Sequence, residues 1–282
     1  MKKITGVLSR IILACISLPL LSRLWGKLMR LRRPRFLARR MIKNFKNHYQ
    51  IDMDEFQGSP QDYPSLADFF VRPLNPKKRS LPVDENFILA PADGKLSELE
   101  LISADCATQV KGKTYPLSRF LAADIDFSKG WYVATIYLSP CNYHRYHYPV
   151  SGQISGCFHG GNRLFPVNAF SCANVKKLYI KNERLVTRIE LPGGPLYAVA
   201  VGATFVGSIV MTCLPAGLPA KNAWRELDIP VKQMDEMGRF NMGSTIIMVL
   251  PAALVEKIVA EKGKTVRAGA PLFKIKSQAN QR

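Results

Sequence analysis

The sequence predicts a mainly β protein of the α+β kind, with a β-sandwich or barrel-like core preceded by N-terminal amphipathic helices. Three observations predict it. Helical periodicity is scarce past residue 80. Short β-branched or aromatic runs take its place, among them GWYVATIYL, RLVTRIEL and STIIMVL, separated by Gly, Pro and Asn turns. The charge asymmetry lies mainly in residues 1–50, which hold thirteen of the 40 Lys and Arg and no Asp or Glu. The remaining residues are near balance, so the net charge of +19 describes an attachment segment rather than the core.

Residues 1–50 come first. A basic segment binds nucleic acid or anionic lipid, and long apolar residues interleaved with the cations favour lipid. The uncharged run 11–22 is preceded by Arg10 and interrupted by Pro19. It falls short of the ~20 apolar residues that a spanning helix needs. The expectation is an amphipathic segment lying in the interface, its apolar face in lipid and its cations near the phosphates. That places the protein peripherally on the cytoplasmic side of the cell membrane, with anionic lipids and no nucleic acid as partners. Single-pass insertion is the alternative. Only four apolar residues separate Arg10 from Cys15, too few for the apolar region of a signal peptide.

Residues 51–282 form the expected catalytic domain. In SLADFF, Ser65 is a helix N-cap, Asp68 sits in the first turn, and Phe69 and Phe70 are core anchors. RPLNPKKRSLP then reads as a proline-punctuated surface connection. The strand-like runs follow from about residue 86. Near the end, Gly263 and Gly269 flank Val266 ahead of Pro271-Leu272. This turn chemistry resembles that of biotinyl and lipoyl domains, but the Met-Lys-Met acceptor is absent, so only the scaffold hint is kept. The six cysteines form no C-x-x-C, which argues against a thiolate metal site and a disulfide framework.

Three segments carry chemistry. Asp93 in APADGK follows an apolar strand; taken alone it reads as an Asp-Gly turn. His144 and His147, two of four histidines, lie between Pro140 and Pro149. No further ligands accompany this H-x-x-H, so no metal is expected. Residues i and i+3 of a regular strand face opposite ways, so both reach one site only if the segment bends or bulges. In FNMGSTIIMVLP, Gly243-Ser244 opens a β-branched apolar run, which alone is a turn into a core strand. Together, Asp93, His147 and Ser244 supply an orienter, a base and a nucleophile. The lack of G-x-S-x-G around Ser244 disfavours an α/β-hydrolase. A membrane-associated lipid serine hydrolase using these three groups without self-cleavage is one reading.

The set SLADFFVRPL, APADGK, YHRYHYPVSG, GNRLFPVN, VGATFVGSIV, EMGRFNMGST and GAPLF resembles phosphatidylserine decarboxylase, in order from Ser65 to Phe273. The resemblance implies that the chain cuts itself at Gly243-Ser244, giving a β chain 1–243 and an α chain 244–282. Asp93 would orient His147, which takes the Ser244 hydroxyl proton. Ser244 would become a covalent pyruvoyl group, the only cofactor, and the Schiff-base site for the serine amine of phosphatidylserine. His144 would assist decarboxylation to phosphatidylethanolamine as proton donor or positioning group. The two chains would stay together as a heterodimer, with further oligomerisation left open. Two positions depart from the family pattern. Asn142 stands where Asp is often found, so it receives no carboxylate role. Gln233-Met234 stands where Lys-Gly is frequent.

Overall fold

The computed structural model describes residues 19–110, 112–204, 209–240 and 244–276, with side chains from residue 24 onward. Helices Pro19–Met29 and Arg35–His48 come first, then the short helix Leu66–Phe70. Sixteen strands follow: Phe87–Leu89 (β1), Gly94–Ile102 (β2), Ala107–Val110 (β3), Lys113–Tyr115 (β4), Trp131–Leu138 (β5), Arg145–His147 (β6), Gly152–Gly160 (β7), Arg184–Glu190 (β8), Leu196–Gly202 (β9), Ile209–Met211 (β10), Trp224–Val231 (β11), Glu236–Phe240 (β12), Ser244–Pro251 (β13), Val255–Ile258 (β14), Thr265–Val266 (β15) and Pro271–Ile275 (β16). Short helices Leu117–Leu121, Ala169–Asn174 and Leu178–Lys181 fall between strands.

Eight strands form one antiparallel sheet in the order β11-β7-β8-β9-β13-β5-β2-β15. Two three-stranded sheets, β10-β12-β6 and β1-β16-β14, pack with it around a common core, and the hairpin β3-β4 forms a two-stranded sheet of its own. The mainly β expectation therefore holds, as a layered arrangement of sheets.

Strand β13 shows why its sequence does not alternate polar with apolar. Ile246, Met248 and Leu250 point into the core shared with the small sheets, beside Tyr146, Phe240 and Phe273. Ile247 and Val249 point into a second core, closed by Tyr115 of β4 and by Phe120, Leu178 and Tyr179 of the short helices. A strand buried on both faces wants apolar residues at every position, and β-branched ones fit the pleat. Gly94 opens β2 under a different constraint. A Cβ there would lie 2.5 Å from the Tyr137 carbonyl oxygen, so only glycine allows the strands to approach this closely.

The predicted short helix is present. Ser65 caps Leu66–Phe70, its hydroxyl accepting from the Asp68 amide at 3.2 Å, and Phe69 and Phe70 are fully buried. They anchor the N-terminal helices: Phe45 of Arg35–His48 meets Phe69 and Phe70 edge-on, at 6.4 and 6.0 Å between ring centroids. Pro19, which interrupts the uncharged run, is the first residue of its helix, where a missing N–H costs nothing. The segment before it, including Cys15, lies outside the described residues. No described helix is long and apolar enough to cross a membrane.

Candidate active site

Ser244 is the first residue of β13, set opposite Leu138 of β5 and Gly202 of β9. It is fully buried, and its hydroxyl has no hydrogen-bond partner among the described residues. Leaving a buried hydroxyl unpaired costs about 1–3 kcal/mol. Two ladders fix the backbone while the oxygen stays uncommitted, a condition suited to a nucleophile. Gly243, on the other side of the expected scissile bond, lies outside the described residues.

The two histidines flank a three-residue strand. His147 ends β6, and His144 stands just before it with its carbonyl accepting from the Phe240 amide at 3.0 Å. The pairing of β12 with β6 slips between Glu236 and Gly238. The irregularity of this pairing lies in the partner strand, and His144 stands outside β6, so the two histidines do not sit on one regular strand. A Cβ on Gly238 would sit 2.1 Å from the Val210 carbonyl oxygen and 2.5 Å from the Tyr146 hydroxyl, so this crossing also needs glycine.

His147 is held at both ring nitrogens. Nδ1 donates to the Met234 carbonyl at 2.9 Å, which leaves Nε2 to accept from the Tyr143 hydroxyl at 3.0 Å. Burial pushes its pKa below the ordinary imidazole value, so the ring is neutral with its basic lone pair on Nε2. His144 is built otherwise. Its ring stacks on Phe70 at 3.9 Å between centroids, and Nε2 donates to the Ser139 carbonyl at 3.0 Å. Its Nδ1 is buried without a hydrogen-bond partner among the described residues. Burial first, and then the Arg72 guanidinium, push its pKa down to about 3.

No hydrogen bond or ion pair joins Asp93 to His147 among the described residues. The Asp93 carboxylate takes both terminal nitrogens of Arg79, at 2.7 and 2.5 Å, and the Ala268 amide at 2.8 Å. No hydrogen bond joins His147 to Ser244 among the described residues. Of the two imidazoles, His144 is the one bonded next to the serine's strand neighbour, since Ser139 follows Leu138.

Several residues that sequence reasoning passed over complete the site. Arg79 lies in the segment expected as a surface connection, yet its side chain is mostly buried on Asp93. Arg72 is fully buried, stacks 4.2 Å over Phe56, and donates to the carbonyls of Cys141 at 2.8 Å and Asn142 at 3.2 Å. It clamps the turn that leads into Tyr143. Asn142 closes the same turn, its side-chain oxygen accepting from the Ser139 amide at 2.8 Å. A carboxylate oxygen could accept the same bond, so Asn142 keeps the turn-closing contact that Asp would make there. Met234 has φ 67°, the left-handed region that favours glycine, which accounts for the glycine frequent at that position. No group of three or more His, Cys, Asp or Glu able to hold a metal occurs among the described residues.

A family profile described as phosphatidylserine decarboxylase matches residues 66–274. The chain is 38% identical over 265 residues to a phosphatidylserine decarboxylase proenzyme of Anaeromyxobacter sp. strain K, covering 89% of this chain and 93% of the relative. It is 40% identical over 219 residues to the proenzyme of that name from Alkalilimnicola ehrlichii, covering 73% and 76%. It is 35% identical over 246 residues to the one from Brevibacillus brevis, covering 83% and 88%.

Proposed function

This chain belongs to the phosphatidylserine decarboxylase family, and on that premise we propose that it cuts itself at Gly243-Ser244 and then converts phosphatidylserine to phosphatidylethanolamine and carbon dioxide. The observation that carries the reading is the buried hydroxyl of Ser244, without a hydrogen-bond partner among the described residues, at the head of β13. His147 is the base for self-cleavage. The Met234 carbonyl holds the tautomer with a lone pair on Nε2, the nitrogen that must receive the serine proton. Tyr143 occupies that lone pair and has to yield it when Nε2 turns to Ser244. Freed of its proton, Oγ attacks the Gly243 carbonyl carbon while the Ser244 nitrogen leaves with the proton held by His147, so an ester replaces the peptide link. β-Elimination then breaks the Cβ–Oγ bond and parts the chains, leaving a carboxylate on Gly243 and a dehydroalanine at 244, whose hydrolysis takes up water and releases ammonia. Asp93 supports the imidazolium through space, since its charge, with that of Glu236, raises the proton affinity of His147.

Ser244 fits as precursor of the pyruvoyl group, which supplies a carbonyl that draws off the electron pair left when the carboxyl group departs. His144 serves turnover: Phe70 and Ser139 fix its ring, and its bare Nδ1 is available to handle a proton at the substrate.

The protein attaches peripherally to the cytoplasmic face of the cell membrane. Leu24, Leu28 and Phe36 are exposed on helices that also carry Arg35, Arg39, Arg40 and Lys43. Residues 1–50 act in attachment and 51–282 in catalysis, although helix Arg35–His48 belongs to both by its packing on Phe69 and Phe70.

Intact mass under denaturing conditions tests the reading. The wild type separates into chains of 243 and 39 residues, the smaller with a blocked N-terminus, whereas Ser244→Ala stays one chain of 282 residues. An uncut wild type that still hydrolyses lipid would instead support the hydrolase reading.

A further inference from the structure

Beside the histidine segment is a cleft of about 580 Å³ lined by four arginines, Arg30, Arg32, Arg145 and Arg239, with Tyr63 and Asp68. A second cavity of about 550 Å³ is lined by Ile209, Val210, Met211, Leu214 and Leu218, and it shares Arg239 with the first. One cationic and one apolar cavity meeting at a single guanidinium match the build of a phospholipid. We propose that the arginine cleft takes the phosphodiester of the substrate lipid and that an acyl chain enters the adjoining groove. The inference rests on the decarboxylase reading above and locates where its substrate is gripped.

Charge argues for an anion. Asp68 lies 3.7 Å from Arg32, and Glu236 lies 2.7 Å from Arg145 and 3.9 Å from Arg239. Four cations face two carboxylates, and Arg30 has no ion pair among the described residues. A phosphodiester with its single negative charge fits this excess, and guanidinium forks match its paired oxygens. The adjacency suits the reaction. Arg145 and Arg239 are opposite one another across β6 and β12. Arg145 lies between His144 and His147, and its charge lowers the proton affinity of His147. Arg239 precedes Phe240, whose amide is bonded to the His144 carbonyl. A phosphate seated here leaves the lipid's serine group at the histidine segment. Arg145 is already committed, with Nε donating to the Val71 carbonyl at 2.9 Å. Arg30 and Arg239 are therefore the informative positions.

The test uses the full chain with phosphatidylserine in mixed micelles, and glycerophosphoserine as a soluble head group without acyl chains. Arg30→Gln and Arg239→Gln should still cut themselves to completion by mass. Their KM for the lipid should rise about tenfold or more, with kcat within about twofold, as loss of a charge-assisted hydrogen bond to a bound anion predicts. Inhibition by glycerophosphoserine should weaken in parallel. Arg239→Lys, which keeps the charge and loses the fork, should show a smaller rise. Leu218→Gln should raise KM for the lipid and leave inhibition by glycerophosphoserine unchanged, which separates the chain groove from the phosphate cleft. Unchanged KM and inhibition in the cleaved arginine variants would overturn the proposal while leaving self-cleavage and decarboxylation standing. A wild type that never cleaves would count against the decarboxylase reading itself.

Discussion

The two histidines stand three residues apart, yet their neighbourhoods come from different regions of the molecule. His147 belongs to the β core: both ring nitrogens are engaged, one by the Met234 carbonyl ahead of β12 and one by Tyr143. His144 belongs equally to the N-terminal layer, stacked on Phe70, which in turn meets Phe45 of the helix Arg35–His48. One imidazole is saturated by hydrogen bonds and the other is fixed mainly by ring packing, with one nitrogen left bare. Hydrogen bonds fix a tautomer, and packing fixes a plane. The first suits a base that must present one particular lone pair, and the second suits a group that waits for a ligand to complete its bonding.

The sharpest way to break this contrast is to remove each ring. His147→Ala should leave uncut precursor, with self-cleavage slowed about 10²–10⁴-fold, the usual loss for a positioned general base. His144→Ala should yield cleaved protein whose decarboxylation falls by a similar factor. Following chain cleavage by mass and carbon dioxide release in the same two preparations decides it, and the reverse pattern would exchange the two roles.

Phe70→Ala comes next. Truncating a fully buried Phe costs about 3–5 kcal/mol, to be read as a lowered urea midpoint. Because the ring also backs His144, carbon dioxide release from the variant should fall further than its extent of cleavage. Equal losses would mean that Phe70 only fills space.

Acid provides a milder perturbation. Both rings bind protons less readily in the folded chain than free imidazole does, and His144 titrates only near pH 3. The unfolded chain therefore takes up protons that the folded chain refuses. Stability from this source is full above about pH 6.5, the ordinary imidazole value, and is lost as the pH falls below it. His144→Gln should flatten the decline between pH 6 and 4 by about 1.4 kcal/mol per pH unit, measured by urea unfolding at each pH. The smallest expected effect is at the other histidine's anchor. Met234→Gly relieves about 1–2 kcal/mol of left-handed strain but gives up the burial of its side chain, so stability should change little. Cleavage should be unaffected, because a backbone carbonyl serves His147 whatever side chain it carries. A large loss of cleavage would show that the Met234 side chain, and not its carbonyl, holds the ring.

Local chemistry was readable in advance where it dictates the structure. An uninterrupted β-branched run after Gly-Ser-Thr announced a core strand, and the structure buries it on both faces. Ser65 with Asp68 announced a cap that is present. Partners supplied from far along the chain were not readable. The pairing of β6 with β12 brings the Met234 carbonyl to His147 over 87 residues, and no local signal marks Met234 as left-handed. Arg79 looked solvated among lysines and prolines, but Asp93, 14 residues later, draws it inward. Sequence order lent Asp93 to His147 because the three side-chain types suggested a linear relay. The fold instead gives that carboxylate to a guanidinium and gives the imidazole to a backbone carbonyl.

Strand β13 has a consequence for the mature protein. With the cut proposed at Gly243-Ser244, Ser244 would begin the small fragment, whose first strand is hydrogen-bonded to β5 on one side and β9 on the other. Its later strands pair with β2 and β1. Cutting the chain before Ser244 therefore frees an end without freeing a piece: the 39-residue fragment remains an inlay, with the large fragment on both flanks. Pulling it out would expose both cores at once, so the two fragments should exchange on the timescale of global unfolding rather than of dissociation. Once separated by denaturant, they would have to find each other as two molecules, against a cost of several kcal/mol that the intact precursor never meets. Folding before cutting is thus the only economical order of events, and the nicked enzyme carries a fold it could not readily assemble from its parts.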